Sequence, residues 1–467
     1  MTTTPTGDVA PPVARRRLLS GAPRRPVPPP IRIVLGLASL VVLGTLSLML
    51  PAAGAERPLT WNEALFTATS ALSVTGLGII TPATDLSLFG QLLLLLLIQI
   101  GGVGFMVVAV VVLRLLGRRI RLTDRLALSD SLGLLSPSAI VKLTTRVLVT
   151  VVALEALGAA LLYLHWRDDE RLGQGQLLLF AVFHAVSAFC NAGFDLFTGT
   201  PGYPEGIPRD NLTLTIMGSL IFLGGLGIPV IADLLAYPRE RRFSLHTRIT
   251  LTVVGFLIVA GAVGFYVAEG GPRGTLTDVH PLRRILLSVF QSISARSSGF
   301  TGIAEFGNLT PASQLLMITL MFIGGAPASM GGGITTGTFA ALTISLWSFA
   351  RGQADATFGG RTLAYGTMRK AGAVLTISLF VVLLATWLIL ITHDTSLDAA
   401  AFEVVSAFAT CGLSLGFTGQ LNLFGQLVIC LMMFWGRLGA LTIIIAIARE
   451  QGRPQPVRYP EEQILIG

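Results

Sequence analysis

Charged side chains are scarce in this sequence. Asp, Glu, Lys and Arg make up 12% of 467 residues, against about 25% in a soluble domain, which excludes an ordinary cytosolic enzyme. Cysteine is nearly absent: Cys190, Cys411 and Cys430 are an odd set without CxxC spacing, so neither a disulfide framework nor a zinc site is expected. They read as small, buried, reduced side chains. HExxH and P-loop signatures are missing, and the glycine-rich 331–337 stretch lacks the Walker lysine and a preceding strand. No enzyme and no covalent cofactor are therefore expected. Long Ser-, Lys- or Glu-rich stretches are missing too, which excludes extended disorder beyond the tails.

Apolar residues, in contrast, make up 52% of the chain, and the mean hydropathy is +0.74. At about 20 residues per span this supplies about eight membrane helices and leaves little for a soluble domain. The chain reads as an all-α integral membrane protein. A net charge of +8 would suggest nucleic acid in a soluble chain. Here no nucleic acid is expected, the lipid membrane is the partner, and the cations report orientation.

Residues 1–30 hold Arg15-Arg16-Arg17, Arg24-Arg25 and a proline cluster, a flexible basic tail. The apolar run near 31–51, ending in Ala53-Gly54-Ala55, resembles a cleavable signal. Its length and its place in an internal repeat favour a first span.

That repeat is the main organising feature. Four short, semi-polar, small-residue segments recur: Ala64–Gly78, Phe180–Phe194, Leu286–Phe300 and Ala401–Leu415, with aligned glycines Gly76, Gly193, Gly299 and Gly412. Each lies between two long apolar runs. The preceding runs are near 31–51, 143–165, 248–268 and 372–392; the following ones are near 86–113, 212–236, 312–349 and 422–448. About a dozen helix-compatible residues cannot cross a ~30 Å hydrocarbon core, so each segment reads as re-entrant. Every following run carries a glycine motif: Gly101-Gly102-Val103-Gly104, Gly224-Gly225-Leu226-Gly227, Gly324-Gly325-Ala326-Pro327 and Gly436-Arg437-Leu438-Gly439. One such motif is ordinary close helix packing; four at matched depth mark a repeat.

The expected architecture is four span–pore helix–span repeats in pseudo-fourfold arrangement around one central pore. It has eight transmembrane helices and four re-entrant pore helices. The repeats occupy 31–142, 143–243, 244–366 and 367–448, followed by a tail, 449–467. Two spans per repeat insert all repeats the same way up. Placing both termini in the cytoplasm puts 24 of the 33 Lys and Arg there, so the re-entrant segments enter from outside.

Irregular backbone at membrane depth survives only around an aqueous path or inside protein. A short helix followed by glycine-containing chain can aim carbonyl oxygens at an axis, and four of them can replace the water shell of a cation. Val74-Thr75-Gly76, Asn191-Ala192-Gly193, Ser297-Ser298-Gly299 and Thr410-Cys411-Gly412 would contribute mainly through backbone oxygens. Val74, Cys190 and Cys411 side chains pack. Arg437 is the outlier, because the other repeats have Gly102, Gly225 and Gly325 there; a charge near the membrane centre faces water or a partner. Gly324–Gly337 is too rich in glycine and proline for continuous helix. Asp195 is expected at the outer mouth, either raising local cation concentration or as a solvated surface acid. Arg296 is expected as a brace paired with a nearby acid such as Glu403. His184 and the Asn191 side chain pack or hydrogen bond.

These filter segments, Arg437 and the glycine-rich loop resemble the Trk/Ktr/HKT superfamily of potassium transporters over essentially residues 31–448. Because the chain starts directly with the first repeat, it looks most like the membrane subunit of a bacterial Ktr system. The resemblance implies K+ uptake across the bacterial cytoplasmic (inner) membrane by a multi-pass protein, with K+ held by filter backbone oxygens and Gly76 compatible with K+ selectivity. It also implies an intramembrane gating loop, 327–337 (Gly331, Gly332, Gly333, Thr335, Thr336), acting with Arg437. Members often carry Lys near Thr335; without it, more of the barrier falls on Arg437. A homodimer, a cytosolic RCK-type nucleotide-binding ring carrying ATP or ADP, and Na+ as an effector are further implications. The alternative is a sodium- or proton-coupled symporter, or a less selective cation channel, of the same architecture.

Overall fold

The computed structural model describes residues 29–104, 140–173, 175–353 and 355–439. The sequence tails 1–28 and 440–467, and the basic connection over 105–139, lie outside the described residues.

The described chain is helical apart from one two-stranded antiparallel ribbon, Thr357–Phe358 with Arg361–Thr362. Helices fall in four groups along the sequence. The first has α1 (Pro29–Leu48), α2 (Trp61–Ser73) and α3 (Leu88–Val103). The second has α4 (Ile140–Trp166), α5 (Leu177–Phe189), α6 (Asn211–Gly225) and α7 (Ile228–Glu240). The third has α8 (Leu245–Glu269), α9 (Pro281–Ser294), α10 (Pro311–Phe322) and α11 (Thr336–Ala350). The fourth has α12 (Tyr365–Thr392), α13 (Leu397–Phe408) and α14 (Leu423–Leu438).

Within each group the helices differ in kind. The opening helices α1, α4, α8 and α12 are long and apolar enough to cross a membrane. They bury only a strip and leave large apolar side chains such as Leu43, Phe256 and Phe380 exposed, as lipid-facing helices do. The short helices α2, α5 and α13 are buried over nearly all of their last two turns. Small and hydroxylic residues make that possible: Ser and Thr hydroxyls return to the helix, as Ser73 does to Thr69 O at 2.6 Å.

The closing stretches are interrupted at the glycine motifs, and beyond Gly104 and Gly439 the first and fourth runs lie outside the described residues. α3 stops at Gly104 (φ +88°), α6 breaks before Gly227 (φ +85°), and α14 stops at Gly439 (φ +77°). Between α6 and α7 the axis turns by 99°, and Pro229 at the start of α7 fits a new helix rather than a continued one. α10 ends at Phe322, and α11 resumes only at Thr336. Among the described residues, four helices can cross a membrane by length and composition, or five if α6 and α7 count as one span.

The motif's leading glycine is needed for packing. A methyl group on Gly101 would lie 2.5 Å from Leu72 O, and on Gly224 or Gly436 it would run into Phe189 O or Phe408 O. α3, α6 and α14 thus lie directly on the last turns of α2, α5 and α13, whereas Gly324 of the third repeat packs on Gly332 O of the following loop.

All four closing stretches begin with a side-chain cap: Ser87 to Gly90 N, Asp210 to Leu212 N and Thr213 N, Thr310 to Ser313 N, and Asn422 to Gly425 N. Asp210 also meets His165 Nε2 at 2.8 Å. Burial would raise its pKa, but the Thr213 bonds and His165 hold it below the ordinary carboxylate range. A depressed carboxyl stabilises above its unfolded pKa, and that contribution disappears as pH falls through the folded value. Asp210→Ala is therefore expected to cost about 1 kcal/mol in detergent unfolding at neutral pH, with the deficit closing in acid. Thermal melts at several pH values check this.

Candidate functional site

The four sequence-aligned segments carry one backbone signature. Val74, Asn191, Ser297 and Thr410 have φ of +53°, +58°, +101° and +46°, and two residues later Gly76, Gly193, Gly299 and Gly412 have φ of +91°, +68°, +76° and +90°. Only two other described non-glycine residues, Arg241 and Ala328, have positive φ. A left-handed backbone is costly for a residue with Cβ, about 1–2 kcal/mol. Its recurrence in four places needs support from the surroundings.

Hydrogen bonds from the short helices supply that support. Thr75 N, Ala192 N and Cys411 N donate to Ser70 O, Ser187 O and Ser406 O at 2.7–2.8 Å, and Ser298 N donates to Ser294 O at 3.0 Å. The serine hydroxyls work differently in two pairs. Ser70 and Ser406 Oγ accept from Gly76 N and Gly412 N at 3.0 and 3.1 Å. Ser187 and Ser294 Oγ donate to Phe194 O and Phe300 O. These serines were missed in reading the sequence, although Ser70, Ser187 and Ser406 each stand six residues before their glycine.

The segments also touch in a closed order. A methyl group on Gly193 would lie 2.7 Å from Ser298 O, and one on Gly299 2.8 Å from Cys411 O. On Gly412 it would collide with Thr75 O, and on Gly76 with Ala192 O. First meets second, second meets third, third meets fourth, and fourth meets first. Each contact brings a carbonyl of one segment against the glycine of the next.

Directly against this ring lies the stretch between α10 and α11. A methyl on Gly331 would lie 3.0 Å from Ser297 Cβ, and one on Gly332 2.5 Å from Thr410 Oγ1. Its backbone is stitched to the α6–α7 break: Ala326 N donates to Gly225 O at 3.1 Å and Ile228 N to Ala328 O at 3.0 Å. Thr335 caps α11 by accepting from Thr338 N, and Thr336 N donates to Gly325 O. Arg437 reaches the same stretch. One Nη donates to Met330 O at 2.5 Å and the other to Gly101 O and Gly102 O. Gly101 and Gly102 belong to the last turn of α3, where carbonyls lack helical partners and a cation is favoured.

Two expected partners differ. Arg296 does not pair with Glu403; its Nη2 donates to Gly324 O at 3.1 Å, just past the end of α10. Glu403 instead accepts from Ser414 Oγ at 2.7 Å and Thr418 Oγ1 at 2.5 Å. The reason is position: Arg296 follows the end of α9, whereas Glu403 lies in the second turn of α13, nine residues before Gly412. Asp195 is not a free surface acid either. His184 Nε2 lies 2.9 Å from Oδ1, Phe197 N donates to Oδ1, and Thr198 N and Oγ1 donate to Oδ2. Burial pushes its pKa up, but His184 and Thr198 hold it below the usual range.

Lipid-length apolar helices around buried, non-helical backbone are the makings of a membrane transport protein, because such backbone is tolerated at depth only inside protein or around a path. The TrkH family model, described as cation transport protein, matches residues 33–456, and the chain belongs to this family. It is 33% identical to Ktr system potassium uptake protein B of Bacillus subtilis over 94% of this chain and 97% of that one. It is 32% identical to the potassium/sodium uptake protein NtpJ of Enterococcus hirae over 95% of this chain and 98% of that one. The structure of the potassium transporter TrkH from Vibrio parahaemolyticus shares the fold, with a TM-score of 0.71 at 19% identity, covering 94% of this chain and 88% of that one.

Proposed function

We propose that this protein conducts K+ through a central pore whose narrowest part is the four-segment ring. The observation that carries this reading is the paired left-handed residues, two apart, in every segment. Alternating the sign of φ turns successive carbonyls toward the same side of the chain, where an ordinary strand alternates them. Four such chains in closed order give stacked rings of oxygens able to replace the hydration shell of a monovalent cation. Thr75, Ala192, Ser298 and Cys411, with the residues on either side of each, form these rings through the backbone. The side chains of Val74 and Cys411 are buried packing.

In this reading the repeats are 31–142, 143–243, 244–366 and 367–448, with the broken closing helices lining the path. The 327–337 loop and Arg437 form the gate on the cytoplasmic side, held by Met330 O and the carbonyls ending α3. A cytosolic RCK-type ring that binds ATP or ADP moves them, and two copies of the chain associate, each with its own pore. The orientation puts both termini in the cytoplasm of a bacterial cell and Asp195 near the outer mouth as a buttress. The names of the Bacillus and Enterococcus relatives support a potassium cargo.

The test is tracer Rb+ uptake into proteoliposomes, competed with K+ and Na+. K+ is expected to compete strongly, Na+ weakly, and the reversal potential to follow the K+ gradient alone. A fixed Na+ or proton stoichiometry would replace the channel reading with a coupled symporter.

A further inference from the structure

One carboxyl group sits inside the helical core without a part in the filter or the Arg437 contacts. Glu155, near the middle of α4, is 6% exposed. Its Oε2 accepts from Gln99 Nε2 of α3 at 3.0 Å, and Cys190 Sγ lies 3.5 Å from Oε1. Cys190 Sγ also lies 3.8 Å from Gln99 Oε1. Three side chains from α3, α4 and the residue capping α5 thus close on one another. An ionisable group inside a membrane span is expensive and calls for a reason.

The surroundings hold few charges. On α4 itself, Lys142, Arg146 and His165 lie more than two turns away along the helix. α3 offers only neutral Gln99, and α6 carries no ionisable residue. α5 carries His184, which is committed to Phe180 O and Asp195. Among the described residues, Glu155 forms no ion pair. Arg437 bonds to Gly101 O and Gly102 O at the end of α3 and interacts electrostatically with Cys190, which touches Glu155. Gly102 in turn packs so tightly on Cys190 that a methyl group there would collide with Sγ. Glu155 therefore lies one layer behind both the second ring segment and the end of α3 that Arg437 caps.

We propose that Glu155 is a proton-binding site linked to cation occupancy of the pore; the proposal rests on the cation-pore reading above. Ionised, it places a full negative charge behind the Asn191–Gly193 segment and favours a cation there. Protonated, it withdraws that charge. Gln99 suits both states: its amide N–H donates to the carboxylate, and after a flip its carbonyl accepts from the acid O–H. Linkage makes the effect reciprocal, so the cation favours ionisation by the factor by which ionisation favours the cation.

The test uses the full-length protein in proteoliposomes with equal pH on both sides. In the wild type, apparent K+ affinity, read by competition against Rb+ uptake, is expected to fall about tenfold through one titration as pH drops, within the usual range for coupled sites. Maximal rate should change less. Glu155→Gln should hold the low-pH affinity throughout, and Glu155→Asp should restore the dependence. A Glu155→Gln protein that follows the wild-type pH profile overturns the proposal. Infrared spectra provide a readout independent of flux. A protonated-carboxyl C=O band should titrate with pH, vanish in Glu155→Gln, move in Glu155→Asp, and shift its midpoint when K+ is added. If Rb+ moves but no Glu155-dependent band titrates, the Glu155 proposal fails. If the band titrates but Rb+ neither moves nor competes, the pore reading fails instead.

Discussion

Gly412→Ala is expected to reduce Rb+ uptake about 10²-fold, the scale on which a displacement of ~1 Å acts at a positioned site, while the protein stays folded. Gly412 has φ +90°, and a methyl group there meets the backbone oxygen and carbon of Thr75 rather than a movable side chain. Thr75 is itself fixed by its bond to Ser70 O, so relief must come from opening the ring between the fourth and first segments. Gly416 provides the control. It has φ +93° with no atom within 4 Å of the same methyl position, so Gly416→Ala carries comparable backbone strain, about 1–2 kcal/mol, without the collision. Uptake by Gly416→Ala should stay within about twofold of wild type, a ±0.4 kcal/mol margin on the scale of 1.4 kcal/mol per decade. Equal losses in the two variants would mean that strain, and not ring closure, governs transport.

Arg437→Ala should act in the opposite direction. The guanidinium spans from Met330 O to Gly101 O and Gly102 O, tying the α10–α11 loop to the end of α3. Hydrogen bonds to charged groups contribute about 1.5–3 kcal/mol each, so their loss frees the loop from one of its anchors. Resting Rb+ flux in liposomes that contain no other protein is expected to rise at least about tenfold, equivalent to ~1.4 kcal/mol. Arg437→Lys keeps the charge but cannot span both carbonyl groups as a fork, and an intermediate flux is expected. The loop also bonds to the α6–α7 break through Ala326 N and Ala328 O. If resting flux is unchanged in Arg437→Ala, those bonds hold the gate closed without it.

Much of this arrangement was readable from the residues. The four aligned glycines mark where left-handed backbone recurs, because only glycine takes it without cost. The leading glycines of the second motif mark where helices meet a carbonyl at close range. Ser87, Asp210, Thr310 and Asn422 announce helix starts by a local rule. Partners were harder to find. Arg296 and Glu403 are both buried ionisable groups in neighbouring segments, yet Arg296 lies past the end of α9 and Glu403 within α13, and no spacing in the sequence encodes which carbonyls and hydroxyls each one meets. The α6–α7 break was hidden for a related reason. Gly227 and Pro229 permit a bend, but it is the third repeat's loop, a hundred residues away, that bonds to Gly225 O and Ile228 N at the break.

Only one quarter of the assembly carries a guanidinium where the other three have glycine. Four identical subunits could never make that choice: a ring of four arginines would crowd like charges into the same narrow space, and at an effective dielectric of 20 each pair 8 Å apart would repel by ~2 kcal/mol. Joining the four units in one polypeptide breaks the symmetry and lets a single guanidinium be installed. It also means that a mutation in one quarter is not echoed in the rest.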